Sequence, residues 1–585
     1  MSEFRFSQRP NRANEIAWMS WGAAAFDRAR AEDKPILLSI SAVWCHWCHV
    51  MDETSYSDST AIATINQRYV PVRIDNDRRP DVNARYNMGG WPTTAFLAPD
   101  GQILTGTTYL PPQQLNRALE EIANFYATNK GTIAEREAPP SPQFAAGGAD
   151  AEIDASSPKR LADAMAGNFD AEFGGFGDSP KFPQPELLEF LLLEWRAADD
   201  RRCYDMLAET LLGMARGGTY DHVEGGFFRY STTRDWSVPH FEKMAEDHGG
   251  LLRVLAQLET LAPAPDIRAA LVSSIRFVRA TLRDPQTALF AGSQDADEAY
   301  FELPLEERRE REVPFVDRTS YTNWTCGLAG ALLFAGRALD DELLVREGCQ
   351  TLDAVAERLV DADGLAYHVL RPGATPEVRG LLTDQVAYLR ASIDAHEITG
   401  EGRFLARARD IADRLLARFQ APDGGFYDRI DIEETIGRLD RNDRPIADNG
   451  VLAETLLRLS ALTHDDAYRS AAVRTLKLFA PAWLQAGSFA AAYARAVRRL
   501  TSLHYAVRIV GSPKETDDFR EAASRLPALA AVGTVPPEAA AKAGLPASPV
   551  PAAYACTDSA CGPPLTDPAA LRPAYDRLAA ATGSG

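Results

Sequence analysis

From Pro35 to Val43 the chain reads Pro-Ile-Leu-Leu-Ser-Ile-Ser-Ala-Val, a short apolar and partly β-branched run bounded by charged or turn residues, which predicts a buried strand. Trp44-Cys-His-Trp-Cys-His-Val-Met51 follows at once and opens a helix. Tyr69 to Asp75 predicts a second strand, and Gly89 to Gly101 a third that ends in a turn. Strands alternating with helices predict an α/β domain over residues 1–135.

Beyond residue 158 the period changes. Leu405, Ala408, Ala412, Leu415, Leu416 and Phe419 share one face at helical spacing, while Arg409, Asp410, Asp413 and Arg414 avoid it. A turn of small residues beside an aromatic or apolar one recurs at Gly174-Gly-Phe176, Gly225-Gly-Phe227, Ala288-Leu-Phe290, Gly364-Leu-Ala366, Gly424-Gly-Phe426 and Gly487-Ser-Phe489. The intervals of 51 to 76 residues fit one helical hairpin plus connections per unit. Six hairpins, each with a face to bury, predict a closed (α/α)6 barrel over residues 159–502.

The Pro-, Gly-, Ala- and Ser-rich stretch 136–158 lacks apolar periodicity and reads as a linker. Residues 503–585 read as a small α/β tail, with a strand at Tyr505–Val510, a helix near Asp517 to Leu526, Ala- and Pro-rich loops and a last helix from about Asp567. The predicted fold class is therefore multidomain, an α/β domain followed by an (α/α)6 barrel and this tail.

Composition narrows the function. The net charge of -20, with no Lys/Arg-rich run, disfavours nucleic acid and anionic membranes as partners. Met1 to Ala17 lacks the apolar core of a secretory signal, and no apolar run of ~18 residues would span a bilayer, so the cytosol is the expected compartment. Seven cysteines in 585 residues are too few for a disulfide scaffold, and a close pair in a reducing compartment points to catalysis or metal binding.

Cys45 and Cys48 form such a pair at a helix start. The helix dipole and free backbone N–H groups there stabilise a thiolate on Cys45, the expected nucleophile, and Cys48 is placed to attack a mixed disulfide on Cys45. His46 adds a cation when protonated and tunes the potential. Cys45, His46, Cys48 and His49 are also zinc-ligating types, although no second Cys/His pair nearby in sequence completes a closed site. No cofactor or resident metal is expected.

Trp91-Pro92-Thr93, just before the third strand, resembles the substrate-binding cis-proline loop of the thioredoxin superfamily, which implies that Trp44, Trp91 and Pro92 shape a substrate groove. Ser39 stands where thioredoxins carry a buried acid. Taken with Asp77-Arg-Arg-Pro-Asp81, Pro180-Lys-Phe-Pro183, Met214-Ala-Arg-Gly-Gly218, Val238-Pro-His-Phe-Glu-Lys-Met244 and Gln294-Asp-Ala-Asp297, the motifs resemble the YyaL family, which includes the spermatogenesis-associated thioredoxin-domain proteins. The resemblance implies a thioredoxin-like domain joined to a barrel related to six-hairpin glycosidases and N-acylglucosamine 2-epimerases.

Polar groups at the starts of the barrel's inner helices are expected to converge on a cleft. The candidates are Asp221, His222, His240, Glu242, Asp247, His248, Asp295, Asp297, Asp384 and Asp448. Paired carboxylates serve glycoside hydrolysis and His serves epimerisation, and both are present. The strongest catalytic candidates are His240, Glu242, Asp295 and Asp297, with Asp221 and Asp247 in substrate binding. Asp384 and Asp448 also read as helix caps, and His248 and His396 as packed core residues. Cys556 and Cys561 read as a second dithiol that exchanges with the first, or as free thiols; Cys203, Cys326 and Cys349 read as packing residues. The expected partner is a protein dithiol or disulfide, or a small carbohydrate. The function stays divided among an oxidoreductase, a sugar isomerase, epimerase or hydrolase with a redox domain, and a noncatalytic binding module.

Overall fold

A computed structural model describes residues 6–7, 9–134, 148, 150–430, 435–502, 505–526, 530–547, 550–557 and 560–581. Ile36–Ser41 is a wholly buried strand, parallel to Val70–Asp75 on one side and antiparallel to Thr93–Leu97 on the other. A fourth strand, Ile103–Thr107, continues the sheet beyond Thr93–Leu97. Its half-buried pattern carries too little apolar contrast to stand out in the sequence. Helices Ala23–Glu32, His46–Glu53, Ser59–Arg68, Pro80–Tyr86 and Pro112–Ala134 complete the thioredoxin-like layer structure.

The sequence linker at 136–158 lies largely outside the described residues, and a helix, Ser157–Ala166, begins at its end. From there the chain builds a closed ring. Inner helices Pro185–Ala198, Ala245–Leu261, Thr322–Leu339, Leu382–Thr399, Ile446–Thr463 and Ala491–Thr501 each touch the next, and the last touches the first. Five of them hairpin onto outer helices Arg201–Arg216, Pro265–Phe277, Glu342–Arg358, Gly402–Arg418 and Asp466–Phe479. The sixth outer place is filled by Ser157–Ala166, which packs on Ala491–Thr501 and so closes the ring between the two ends of the domain.

The recurrent turns explain the repeat. Five of the six end in a β-bridge that folds the chain back after an outer helix, pairing Phe169 with Phe176, Tyr220 with Phe227, Arg283 with Phe290, Val360 with Ala366 and Gln420 with Phe426. Asp170, Asp221 and Asp284 hold equivalent places, six residues before the aromatic, and each carboxylate accepts from the backbone N–H two residues on. The sixth turn departs from the pattern: Gly487 lies inside a 3₁₀ segment, Trp483–Ala490, and Phe489 is exposed.

The tail packs against the C-terminal ends of the inner helices, where Arg508 donates to the carbonyls of Ala461 and Leu462, and Arg520 to that of Ile398. Two stretches read as Ala- and Pro-rich loops are strands, Ala531–Val535 and Ala552–Cys556, flanking Ala506–Val510. Both are five residues long and buried along nearly their whole length, so alternation gives no signal. The final helix is Leu571–Ala581, after a short 3₁₀ turn at Pro568–Ala570.

Candidate active site at the domain junction

The inner helices all start at the end of the ring opposite the tail, and the thioredoxin-like domain sits on that end. Arg85 reaches from helix Pro80–Tyr86 to the carbonyls of Arg438 and Arg441 and pairs with Asp428 at 2.8 Å. Leu439 joins the core of the thioredoxin-like domain. Gly101 and Gly437 pass so closely that a Cβ on Gly101 would stand 2.5 Å from Gly437 Cα, and both hold positive φ. Glycine is required at both places for that approach.

The dithiol lies in this junction. Helix His46–Glu53 has Cys45 as its N-cap, and Cys45 Sγ accepts from the Cys48 N–H at 3.2 Å. That arrangement stabilises a thiolate on Cys45. In the structure the two sulfurs form a disulfide, with Cα atoms 5.2 Å apart. The Trp91–Pro92 bond is cis and Pro92 is buried, while Trp91 meets Trp44 edge to face at 5.8 Å. At Ser39, which is in register with Arg73, no acid is present; a buried Asp52–Arg73 ion pair lies nearby.

The barrel covers the dithiol face. Ala42, Trp44, Cys45 and Cys48 belong to the barrel's hydrophobic cluster, not to either main cluster of their own domain. The Arg229 guanidinium lies 4.4 Å above the Trp44 ring, and Trp44 Nε1 donates to Asp77 Oδ2 at 2.6 Å. The His240 and His46 rings are 6.3 Å apart, and His240 stacks on Tyr230 and bonds Glu242 at 3.0 Å. Burial opposes ionisation of Glu242, but His240 and Arg229 outweigh it and hold the carboxyl below its usual range. His49 Nε2 donates to the Val43 carbonyl at 2.7 Å, leaving Nδ1 to face Asp295 Oδ2 at 3.9 Å. Burial lowers the His49 imidazole and pushes the Asp295 carboxyl up to about 8, with Glu242 and Asp297 adding to the rise.

A cavity of about 650 Å³ opens at the domain junction, roofed by Asp77, Asn83 and Trp91 of one domain and floored by barrel residues. A second chamber of about 290 Å³ continues into the ring, and Glu246, Asn323, Trp324, Thr383 and Asp448 line both. Glu246, Asn323 and Thr383 are each the second residue of an inner helix and Asp448 the third. Their helix dipoles favour negative charge there, whereas burial disfavours it. Burial raises the Asp448 carboxyl to about 7, with Asp428 adding to the rise, and raises Asp247, beside Glu246, to about 8. Glu246 is also raised by burial, although its side chain opens onto the cavity, where water offsets part of that effect. Asn323 Oδ1 is buried without a protein partner.

His368 ties the chamber to the dithiol. Its Nε2 donates to the Asp77 carbonyl at 2.7 Å and its Nδ1 to Asp384 at 2.9 Å. Burial lowers the imidazole, but the Asp384 charge and hydrogen bond outweigh it, so the ring titrates above its usual range. Burial also raises the Asp384 carboxyl, so the two groups share the proton between them.

The barrel candidates therefore divide into two groups. His240, Glu242 and Asp295 flank the dithiol and line neither chamber. Asp247 and Asp448 line the chambers; Asp384 bonds His368 at their edge. The cap reading of Asp384 and Asp448 is corrected, because Leu381 and Pro445 are the N-caps and both acids sit in the first helical turn. Asp221 is corrected as a substrate-binding residue: it is the repeat's turn residue, locked by Lys243 at 2.6 Å and Arg308 at 2.8 Å. Asp297 caps the short helix Glu298–Phe301. His222 is exposed, and His248 and His396 are buried. His248 accepts from the Phe227 N–H and packs within the ring.

Cys556 and Cys561 form a disulfide in the tail. They stand beyond the C-terminal ends of the inner helices, and Cys45 at the N-terminal ends, so direct exchange between the pairs is excluded in this arrangement. Cys203, Cys326 and Cys349 are buried thiols whose pKa burial raises. Among the described residues, no helix is long and apolar enough to cross a membrane, and no group of three or more His, Cys, Asp or Glu residues is arranged to hold a metal ion.

Sequence reasoning missed Asp77, Glu246, Asn323, Trp324 and His368. Repeat phase was the available signal, since the second position of successive inner helices supplies Glu246, Asn323 and Thr383.

Residues 7–141 match the Thioredox_DsbH family, described as a protein of unknown function (DUF255), and residues 386–494 match glycosyl hydrolase family 47. Spermatogenesis-associated protein 20 of Mus musculus is 34% identical over 309 residues, 48% of this chain and 39% of that protein, so the match spans about two-fifths of the relative. The thiol:disulfide interchange protein TxlA of Synechococcus elongatus is 31% identical over 102 residues, 16% of this chain and 50% of that protein. Among solved structures, cellobiose 2-epimerase from Bacillus thermoamylovorans aligns at 12% identity and a TM-score of 0.46, covering 57% of this chain and 87% of that one. The chain thus joins a region that matches the Thioredox_DsbH family to one similar to glycosyl hydrolase family 47, and over 309 residues it is similar to spermatogenesis-associated protein 20.

Proposed function

We propose that this chain is a thiol–disulfide oxidoreductase whose dithiol works beneath the end of its own barrel. The observation that carries the reading is Cys45 as helix N-cap, its sulfur accepting the Cys48 N–H at a junction where both domains supply polar side chains. A thiolate on Cys45 attacks a disulfide sulfur, and Cys48 resolves the mixed disulfide. His46 follows the nucleophile in sequence and its ring lies 6.3 Å from that of His240, while His49, on the Cys48 helix, faces Asp295 across the junction. Similarity of the chain to two thiol:disulfide interchange proteins, over 102 and 80 residues, supports this assignment. The Cys48→Ser variant tests it: after treatment with a disulfide it is expected to accumulate a mixed disulfide on Cys45, resolved by mass spectrometry, whereas Cys45→Ser accumulates none on Cys48. An unmodified Cys45 contradicts the reading.

A second reading is favoured by one observation, the two-chambered cavity with Glu246, Asp247 and Asp448, all raised by burial, along a wall that also carries Trp324. Paired acids and aromatic faces suit a small carbohydrate, so the barrel either binds or transforms one. Calorimetry with neutral mono- and disaccharides against wild type and Glu246→Gln tests this: saturable heat lost in the variant supports it, and no heat in wild type contradicts it.

A further inference from the structure

We infer that the substrate of Cys45/Cys48 is a low-molecular-weight thiol or disulfide and not a folded protein. The inference rests on the redox reading and narrows it. In a thioredoxin-like domain the dithiol and the neighbouring proline loop form the face on which a substrate docks. Here that face is filled from within the same chain. Ala42, Trp44, Cys45 and Cys48 are packed into the barrel's apolar cluster; Trp44 is 3% exposed, Cys45 5% and Cys48 0%. Arg229 lies over Trp44 and is bound back to the barrel through Glu242, and Asp295 stands against His49. The junction is also secured away from the dithiol, by Arg85 on the loop at 438–441 and by His368 on the Asp77 carbonyl.

Apart from Trp91, which lines the junction cavity, what remains open around the dithiol helix is one edge. His46 is half-buried and Trp47 is 46% exposed, with Tyr109 behind Trp47 and His240 opposite His46. A flexible molecule that carries its disulfide near one end fits such a slot, whereas a folded protein needs the backbone of the proline loop as well. The imidazoles of His46 and His240 suit a ligand whose polar groups accept hydrogen bonds.

The chemistry is complete with this one class of reactant. The Cys45 thiolate attacks one sulfur of R–S–S–R, forming Cys45–S–S–R and releasing RS⁻, which takes a proton. Cys48, giving up its proton, attacks Cys45 Sγ and expels the second RS⁻, which is protonated in turn. Two electrons pass from the dithiol to R–S–S–R, leaving two RSH and the Cys45–Cys48 disulfide, and excess RSH drives the same steps in reverse.

The test uses the reduced full-length chain and three oxidants at equal disulfide concentration: bis(2-hydroxyethyl) disulfide, oxidised glutathione and insulin. Disappearance of the Cys45/Cys48 thiols is followed by alkylation and mass spectrometry. Both small disulfides are expected to oxidise the pair, with insulin at least ~10-fold slower, a barrier difference of about 1.4 kcal/mol. Insulin reacting as fast as the small disulfides overturns the size restriction and leaves the redox reading standing. No reaction with any of the three overturns both.

Discussion

His49 Nδ1 stands 3.9 Å from Asp295 Oδ2, one side chain from the dithiol helix and the other from a barrel loop. The junction thereby places a buried carboxyl against the dithiol helix in a chain that has Ser39 where thioredoxins carry their acid. The folded chain keeps the Asp295 proton up to about pH 8, whereas an unfolded Asp loses it near about pH 4. Between these values the native state binds more protons than the unfolded state, so stability falls as pH rises. The contribution is full below about pH 4 and is lost through about pH 8. Asp295→Asn removes this titration, and urea unfolding at a series of pH values is expected to show a slope shallower by up to ~1.4 kcal/mol per pH unit. An unchanged slope contradicts the assignment.

Trp44 links the dithiol to the cavity roof through its 2.6 Å hydrogen bond to Asp77. Trp44→Phe keeps a ring beneath Arg229 but leaves Asp77 Oδ2 without that donor, in a carboxyl already raised by burial and by Asp75. A destabilisation of ~1–3 kcal/mol is expected from denaturant titration, because a buried acceptor loses its partner. A change below a few tenths of that range would mean that the bond carries no net weight.

Arg85 is the main polar tie between the domains, its side chain 3% exposed and shared among Asp428 and two carbonyls. Arg85→Ala removes the ion pair of Asp428, which keeps the Asp443 N–H as a donor, and a loss of ~1–3 kcal/mol is expected from the charged hydrogen bonds given up. The more telling readout is the alkylation rate of reduced Cys45 by iodoacetamide, which is expected to rise as the barrel lifts from the dithiol. Equal rates in variant and wild type would place the cover elsewhere.

The two cysteine pairs occupy opposite ends of the ring, so they are expected to titrate independently. Cys556→Ser should leave the apparent potential of Cys45/Cys48 unchanged in glutathione buffers, and a shift would require a conformation in which the tail reaches the dithiol.

The strands around Cys45 and the six-fold helical repeat were legible because both put apolar residues at a fixed period. The outer strands of the tail were not, since short segments buried along nearly their whole length have no alternation to show. For the site, Cys45 and Cys48 are local in sequence and were found by spacing, and Pro92 by the resemblance of its loop to that of the thioredoxin superfamily. His240, Glu242 and Asp295 were recognised as chemical groups but expected in the barrel cleft, because nothing in their spacing records that another domain lies over them. Asp221 illustrates the converse: its position before Phe227 repeats that of Asp170 before Phe176, a regularity that marks turn architecture. His368 lay beyond reach, since its two partners, Asp77 and Asp384, come from different domains.

The most direct test of the account is the reduction potential of Cys45/Cys48 in the full-length chain, by equilibration across glutathione buffers with acid quench, alkylation and mass spectrometry. The account predicts one reversible two-electron transition, reached equally from the oxidised and the reduced side and unaffected by a chelator. A pair that stays reduced across the whole range, or that becomes oxidisable only after metal is stripped, would contradict it.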